Sequence, residues 1–322
     1  MTADGRSITA SGLAKDPPDR VPDVGQRPAA GQVESLAVGA RAQAGHENFP
    51  VALRLLPARY RRHLMAVYAY ARTVDDIGDE APPADRLRLL AELEDDVRRL
   101  YPPAGRPGAP AGPGTPGSPS LAVVAGLRES VADCGIPLAP LVDLIVANRQ
   151  DQEVSRYETF ADLLGYCRLS ANPVGRIVLH VFGCHTAERA ELSDLICTGL
   201  QLAEHWQDVA EDLRAGRIYL PQEDLRGYAC TERDLAQAHA GPGVRALMAF
   251  EVRRARSLID QGAPLIGTLR GAARAAVAGY VAGGRAALHA IAAADYDVLA
   301  AAPRPSGRRT VAELAGAWAK GR

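Results

Sequence analysis

Apolar residues recur along this chain at intervals of three and four, with polar positions between them. Leu64, Val67, Tyr68 and Ala71 follow that spacing, as do Leu87, Leu90 and Leu93, then Leu141, Leu144 and Ile145. A further run of Leu195, Gly199, Leu202, Trp206 and Leu213 continues it. This is the period of α-helices that bury one face. Short β-rich runs such as Arg217-Ile218-Tyr219-Leu220 are too few to build a sheet. The pattern predicts an all-α protein, a single large bundle of about eight to ten helices around one core. There is no repeat of solenoid period and no good domain boundary.

Breaks in the pattern set the expected limits of the bundle. Residues 1–35 are rich in Pro, Gly, Asp and Arg with few large apolar side chains, so they cannot offset the entropy of ordering and are expected as a disordered tail. The domain is expected over residues 36–300, with a C-terminal tail over 301–322. Residues 101–120, YPPAGRPGAPAGPGTPGSPS, read as a flexible surface loop. Within it, Gly112-Pro113-Gly114-Thr115-Pro116-Gly117 matches the dinucleotide fingerprint G-x-G-x-x-G. No strand precedes it and two prolines interrupt it, so no nicotinamide cofactor is expected.

Composition narrows the function by exclusion. The chain has 322 residues, 47% of them apolar, with 37 Lys and Arg against 38 Asp and Glu. A net charge of -1 gives no general field to recruit nucleic acid. Cys134, Cys167, Cys184, Cys197 and Cys230 lack the close spacing of a zinc site or redox pair and read as reduced packing residues. The N-terminus lacks the apolar core of a secretory signal, so a cytoplasmic location is expected. The Ala-rich stretch Gly271 to Tyr296 carries Arg274 and Arg285 and fails as a membrane span.

Two acidic stretches stand out against this background. RTVDDIGDE, from Arg72 to Glu80, puts four acids in six positions at the end of an otherwise apolar helix. Asp75 and Asp79 lie one turn apart on one face, where like charges cost roughly 0.2–0.5 kcal/mol per pair. Acids at a helix C-terminus also oppose the macrodipole, by about 0.3–1 kcal/mol each. In QLAEHWQDVAEDLRAGRIYLP, from Gln201 to Pro221, Glu204, Asp208 and Asp212 form a stripe at i, i+4 and i+8, while Leu202, Ala203, Trp206, Val209 and Leu213 pack the same helix. Two such stripes facing each other would repel unless cations sat between them. Mg²⁺ suits them: it takes oxygen ligands and is held by one or two carboxylates plus substrate phosphate oxygens. Arg72 and Arg217 stand beside the acids as candidate phosphate-binding guanidiniums. Arg59, Arg61 and Arg62 cluster at the start of the first helix and read as a solvated face.

These residues resemble the squalene and phytoene synthase family, enzymes that couple or rearrange C15 and C20 prenyl diphosphates head to head. The first D-x-x-x-D, in VYAYARTVDDIGDE, follows an aromatic-rich helix, and the second, in WQDVAEDLRAGRIYLP, runs into an arginine and a tyrosine, as in that family. The resemblance covers roughly residues 44–294. HENFPVA from His46 to Ala52, Leu56-Pro57, and YCRLSANPVG from Tyr166 to Gly175 are similar to its bacterial hopanoid-pathway branch. That branch implies an isoprenoid-synthase bundle with a central apolar cavity. It also implies Mg²⁺-dependent conversion of presqualene diphosphate and water to hydroxysqualene and diphosphate, without a nicotinamide cofactor.

The resemblance also assigns residues. Asp75, Asp79, Asp208 and Asp212 would hold two or three Mg²⁺ ions, with Glu204 where the family usually has Asn. Arg72, Arg217 and Tyr219 would orient the leaving group. His46, Asn48 and Phe49 match a segment at the pocket mouth, and Tyr68, Tyr166 and Asn172 are cavity-lining candidates. The partners implied are a prenyl diphosphate substrate, a reductase that receives the product, and peripheral contact with the inner membrane. Three rival readings remain at this level. One is condensation of two farnesyl diphosphates to presqualene diphosphate, squalene or dehydrosqualene; another is a helical NTP pyrophosphatase. The third is a non-catalytic relative acting in complex assembly, which the two intact aspartate motifs disfavour.

Overall fold

The computed structural model describes Gly31, Val33, residues 56–101 and residues 118–320. From Ala58 the described chain runs through α1 (Ala58–Asp79), α2 (Arg86–Arg98), α3 (Ala122–Ala125), α4 (Arg128–Cys134) and α5 (Leu138–Gln150). It continues through α6 (Phe160–Ser170), α7 (Asn172–Val181), α8 (Ala187–Gln207), α9 (Val209–Arg214) and α10 (Gln222–Gly227). The last are α11 (Glu232–Leu235), α12 (Pro242–Gly262), α13 (Leu265–Thr268), α14 (Gly271–Ala293) and α15 (Gly307–Lys320). Nine of these reach ten residues or more, within the eight to ten helices that the apolar pattern predicts. Among the described residues the only strand-like pairing is one parallel bridge between Arg156 and Ile218.

Local chemistry sets several boundaries. The α6 start is a reciprocal cap in which Asp162 N donates to Thr159 Oγ1 at 3.2 Å and Thr159 N donates to Asp162 Oδ2 at 3.0 Å. Thr186 caps α8 by accepting from Arg189 N at 3.2 Å. The segment 301–322, expected as a tail, instead carries α15, whose Ala317 is buried and whose Arg309 pairs with Glu313 at 2.7 Å. Pro303, Pro305 and Gly307 obscure its short apolar period in the sequence. No helix among the described residues is long and apolar enough to cross a membrane.

The buried side chains form two clusters. One gathers Leu64, Tyr70 and Ile77 of α1 with Leu89, Leu90 and Leu93 of α2 and Leu141 and Ile145 of α5. The other centres on Trp206, Leu202 and Ile196 of α8, with Leu247, Met248 and Ile259 of α12 and Val281 and Leu288 of α14. Helices α5 and α7 contribute to both, with Ala147 and Leu179 on one side and Ile145 and Ile177 on the other. The acidic end of α1 belongs to one half and that of α8 to the other, and Arg217, which follows α9, reaches Asp79 across the seam.

Close helix approach holds the second half together. A Cβ at Gly199 of α8 would lie 2.5 Å from Ile259 Cγ1 and 3.0 Å from Ala255 O of α12, and one at Gly262 of α12 would lie 2.6 Å from Leu192 O of α8. The two backbones therefore cross where each lacks a side chain.

The same half buries a titratable group. Glu251 of α12 is fully buried and neither carboxyl oxygen has a hydrogen-bond partner; Arg254 Nη1 lies 3.6 Å away. Arg254 is itself committed to Asp224 at 2.9 and 3.2 Å, between the rings of Phe160 and Phe250. Burial pushes the Glu251 carboxyl up to about 8; Arg254 pulls against the rise and Asp224 adds to it. A proton held in the folded state and not in the unfolded one stabilises the fold at low pH, and that contribution is lost as pH rises from about 4.5 through about 8. Glu251→Gln fixes the neutral form. Its melting temperature should exceed that of the native chain at pH 9, with the gap closing toward pH 5, as read by circular dichroism; an equal gap at both pH values would contradict this.

Candidate active site

The four acids at the end of α1 divide into two pairs with different partners. Asp76 is buried beside Arg72, whose Nε lies 2.8 Å from Asp76 Oδ1 and whose Nη2 lies 3.6 Å from Glu80. Arg72, expected to orient a leaving group, is thus engaged by acids of its own helix end. Asp75 is reached by water yet has protein atoms close around its carboxyl. It accepts a hydrogen bond from Asn148 Nδ2 at 3.1 Å. Asp79 accepts from Arg217 Nη2 at 2.7 Å, which ties α1 to the chain following α9. The carbonyls freed at the end of α1 are also met by donors: Gln152 Nε2 reaches Gly78 O at 3.1 Å, and Arg86 reaches Asp79 O at 2.7 Å and Ala81 O at 2.8 Å. A cation at that end offsets the dipole penalty of the acids.

The second stripe is not one continuous helix. α8 ends at Gln207 and α9 begins at Val209, with Asp208 between them at φ -105 and ψ 16. The i+4 hydrogen bonds nevertheless run through the break, from Asp208 N to Glu204 O at 3.0 Å and from Asp212 N to Asp208 O at 2.8 Å. The three acids therefore keep their spacing while the axis turns. Asp208 Oδ1 is buried and has no hydrogen-bond partner; Arg304 Nη2 lies 3.9 Å from it. Asp212 N–H apart, its carbonyl accepts from Arg217 N at 2.8 Å, which sets where that guanidinium starts.

The two acidic elements influence each other's charge. Burial pushes the Asp75 carboxyl up to about 7, Asn148 pulls it down, and Asp79 and the distant Glu204 raise it further. Burial also lifts Asp212 to about 7, with Asp208 and Glu204 adding repulsion and Arg217 opposing it. Asp208 is raised by burial, with Arg304 opposing. Among the described residues no three His, Cys, Asp or Glu side chains already stand close enough to grip one metal ion. The donor set nonetheless fits a hard divalent cation: oxygen ligands only, a buried carboxylate oxygen without a partner, and carboxyls whose mutual repulsion a cation would relieve.

A wall of rings stands beside the acids. Ile218 N donates to Ser155 O at 2.9 Å and Gln222 N to Tyr157 O at 2.9 Å, so the chain after α9 lies along residues 155–157. This pairing sets Tyr219 against Tyr157 and Tyr166, with ring centroids 5.8 and 5.6 Å apart. His205 stacks on Tyr219 at 3.7 Å. Burial, with help from Arg217, pulls His205 down to about 3, so its ring is neutral near pH 7. Asp151, at the end of α5, accepts from Tyr166 Oη at 2.6 Å and from Tyr219 Oη at 3.4 Å. Burial pushes Asp151 up to about 6 against those hydroxyls. A cavity of about 10 Å³, near the smallest that admits one water, is lined by His205, Val209, Asp212, Ile218, Tyr219 and Leu220.

The other expected residues fall out unevenly. Tyr68 is half-buried on α1. Asn172 is buried at the start of α7 and accepts from Thr198 Oγ1 of α8 at 3.0 Å, a tie between helices. His46, Asn48 and Phe49 lie outside the described residues. In the Arg59 to Arg62 cluster, Arg59 donates to Tyr60 Oη at 2.9 Å and Arg62 pairs with Glu129 at 3.0 Å and Asp133 at 3.1 Å. Sequence reasoning missed Asn148, Asp151 and Gln152, the polar run at the end of the apolar helix α5. An acid and two amides closing an otherwise apolar helix were the available signal.

An all-helical bundle that brings two aspartate-bearing helices to one seam is the architecture of an isoprenoid-synthase-type enzyme. A family model, squalene/phytoene synthase, matches residues 42–312. The chain belongs to the squalene/phytoene synthase family, whose members act on prenyl diphosphates. It is 34% identical over 226 residues to a hydroxysqualene synthase of Zymomonas mobilis, covering 67% of this chain and 69% of that one. It is 35% identical over 228 residues to a hydroxysqualene synthase of Rhodopseudomonas palustris, covering 70% and 72%. The crystal structure of squalene synthase HpnC from Alicyclobacillus acidocaldarius superposes with a TM-score of 0.70 at 38% identity, covering 83% of this chain and 98% of that one.

Asn148 owes its place to a glycine. A Cβ at Gly78 would fall 2.2 Å from Asn148 Oδ1, so any side chain there displaces the amide that braces Asp75. Gly78→Ala should lower turnover of a prenyl diphosphate about tenfold or more, as loss of a ligand's supporting partner does, while the circular dichroism spectrum stays native. Unchanged turnover would show that the Asn148 contact does not position Asp75.

Proposed function

We propose that the protein converts presqualene diphosphate and water to hydroxysqualene and inorganic diphosphate, a step of squalene and hopanoid formation. Asp75, Asp79, Glu204, Asp208 and Asp212 would together hold two or three Mg²⁺ ions. The observation that carries this reading is the meeting of two acidic elements across the Arg217–Asp79 contact, with Asp208 Oδ1 buried and unpartnered. Such a site is completed by divalent cations and a diphosphate, whose charges balance its own. When bound, Mg²⁺ would act as a Lewis acid and template, drawing charge from the departing diphosphate. The likeness to hydroxysqualene synthases supports presqualene diphosphate as the substrate.

The chain's own side chains supply the rest. Arg217, fixed at one end by Asp79, offers a guanidinium fork to leaving-group oxygens. The rings of Tyr157, Tyr166 and Tyr219 offer faces to a carbocation, each worth about 0.5–2 kcal/mol. The reaction as written consumes water and no hydride, so it needs no nicotinamide cofactor. The product is a C30 alcohol of low solubility, which fits a cytoplasmic enzyme that touches the inner membrane face and passes its product to a reductase.

Purified protein with Mg²⁺ should form a C30 alcohol from presqualene diphosphate and nothing from farnesyl diphosphate, in separate reactions without NADPH. Asp75→Ala and Asp208→Ala should each reduce this to near background with the fold intact. Product from farnesyl diphosphate would assign the chain to the condensing branch, and silence with both substrates would assign it a non-catalytic role.

A further inference from the structure

A reaction that ends with water attacking a carbocation must also dispose of a proton. The oxygen lone pair of water forms the new C–O bond, and one O–H bond then breaks, leaving its electron pair on oxygen. The acceptor of that proton must stand at the aromatic wall, where the cation is held, and must have a basic atom not already committed to the leaving group. Asp75, Asp79, Glu204, Asp208 and Asp212 are assigned to the diphosphate end. His205 is neutral, but its Nε2 is taken up with Gln201 Nε2 at 3.2 Å and its ring face lies flat on Tyr219.

Asp151 meets the requirement. We propose that Asp151 is the catalytic base of the water-addition step, an assignment that rests on the hydroxysqualene reading above. It projects from the end of α5, an element that carries neither aspartate motif, and is half-buried beside the rings. Tyr166 Oη and Tyr219 Oη approach its two oxygens at 2.6 and 3.4 Å, and those two rings stand 5.6 Å apart. The carboxylate is thus aimed by two hydroxyls on the surface that would face the cation. The groups around it are Tyr157 and Tyr166 on the side of α6, Tyr219 and Arg217 after α9, and Asp79 of α1. Arg217 is the only cation in this set and its bond goes to Asp79 rather than Asp151, so Asp151 keeps a lone pair for a proton. The water-sized cavity lined by Tyr219 lies next to this wall. The proton taken from water passes to an Asp151 oxygen and is shared with the tyrosine hydroxyls, which can relay it outward.

The test is product partition with presqualene diphosphate and Mg²⁺, reading the alcohol as a share of pyrophosphate released. In Asp151→Asn that share should fall at least tenfold, with hydrocarbons formed by loss of a carbon-bound proton in its place. Asp151→Glu should restore a large part of it. If Asp151→Asn does not fold, Tyr219→Phe decides. Removing one donor makes the carboxylate more basic, so the acid limb of the alcohol share against pH should move upward. An unchanged share in Asp151→Asn, or an unmoved limb in Tyr219→Phe, overturns the assignment alone. Absence of the alcohol from the native enzyme overturns the reaction and this assignment with it.

Discussion

Repulsion between carboxylates is the constraint around which this molecule is arranged. Burial and neighbouring acids raise the proton affinity of Asp75 on one helix, where Asp79 and the more distant Glu204 add to the rise, and of Asp212 beyond the break, where Asp208 and Glu204 do. Left alone, such a site would open or fill with protons. One guanidinium keeps it shut: Arg217, anchored through its own backbone to Asp212 O at 2.8 Å, reaches over to Asp79 at 2.7 Å. That contact places a charge from each half of the bundle in one ion pair.

The surrounding structure serves to hold those acids where their charges are unfavourable. Asn148 braces Asp75, Gln152 and Arg86 absorb the bare end of α1, and Arg72 takes Asp76 and Glu80. Gly78 leaves room for Asn148, and Gly199 and Gly262 let α8 and α12 approach so that Trp206 and its neighbours form a fixed base for the second stripe. The core is therefore tied to the chemistry at particular points. A change at a glycine far from any acid moves the helix on which an acid stands.

Much of this was legible in the sequence, because the governing periods are short. The apolar repeat at three and four gave the helices, and carboxylates four apart gave both acidic faces, since each depends only on local helix geometry. What could not be read depends on contacts between distant residues. The break at Asp208 is hidden because the i+4 hydrogen bonds persist through it. Arg72 stands three positions before Asp75 and four before Asp76, both spacings that meet on one helix face, and only the fold decides that it pairs with Asp76. Asp151 has no spaced partner at all; it becomes part of the site because residues 155–157 pair with 218–222, more than sixty positions away. The helix at 307–320 was masked by the prolines before it.

The account stands or falls on whether the opposed acids form a cation-completed diphosphate site. The most direct measurement is a calorimetric titration of inorganic pyrophosphate into the native protein, with Mg²⁺ and then with chelator in its place. Binding that requires Mg²⁺ and disappears in chelator is the result predicted by two anionic walls that repel an anion until a cation intervenes. Equally tight binding without any divalent cation would contradict it, because the arginines alone would then suffice and the acids would have no part in holding the ligand.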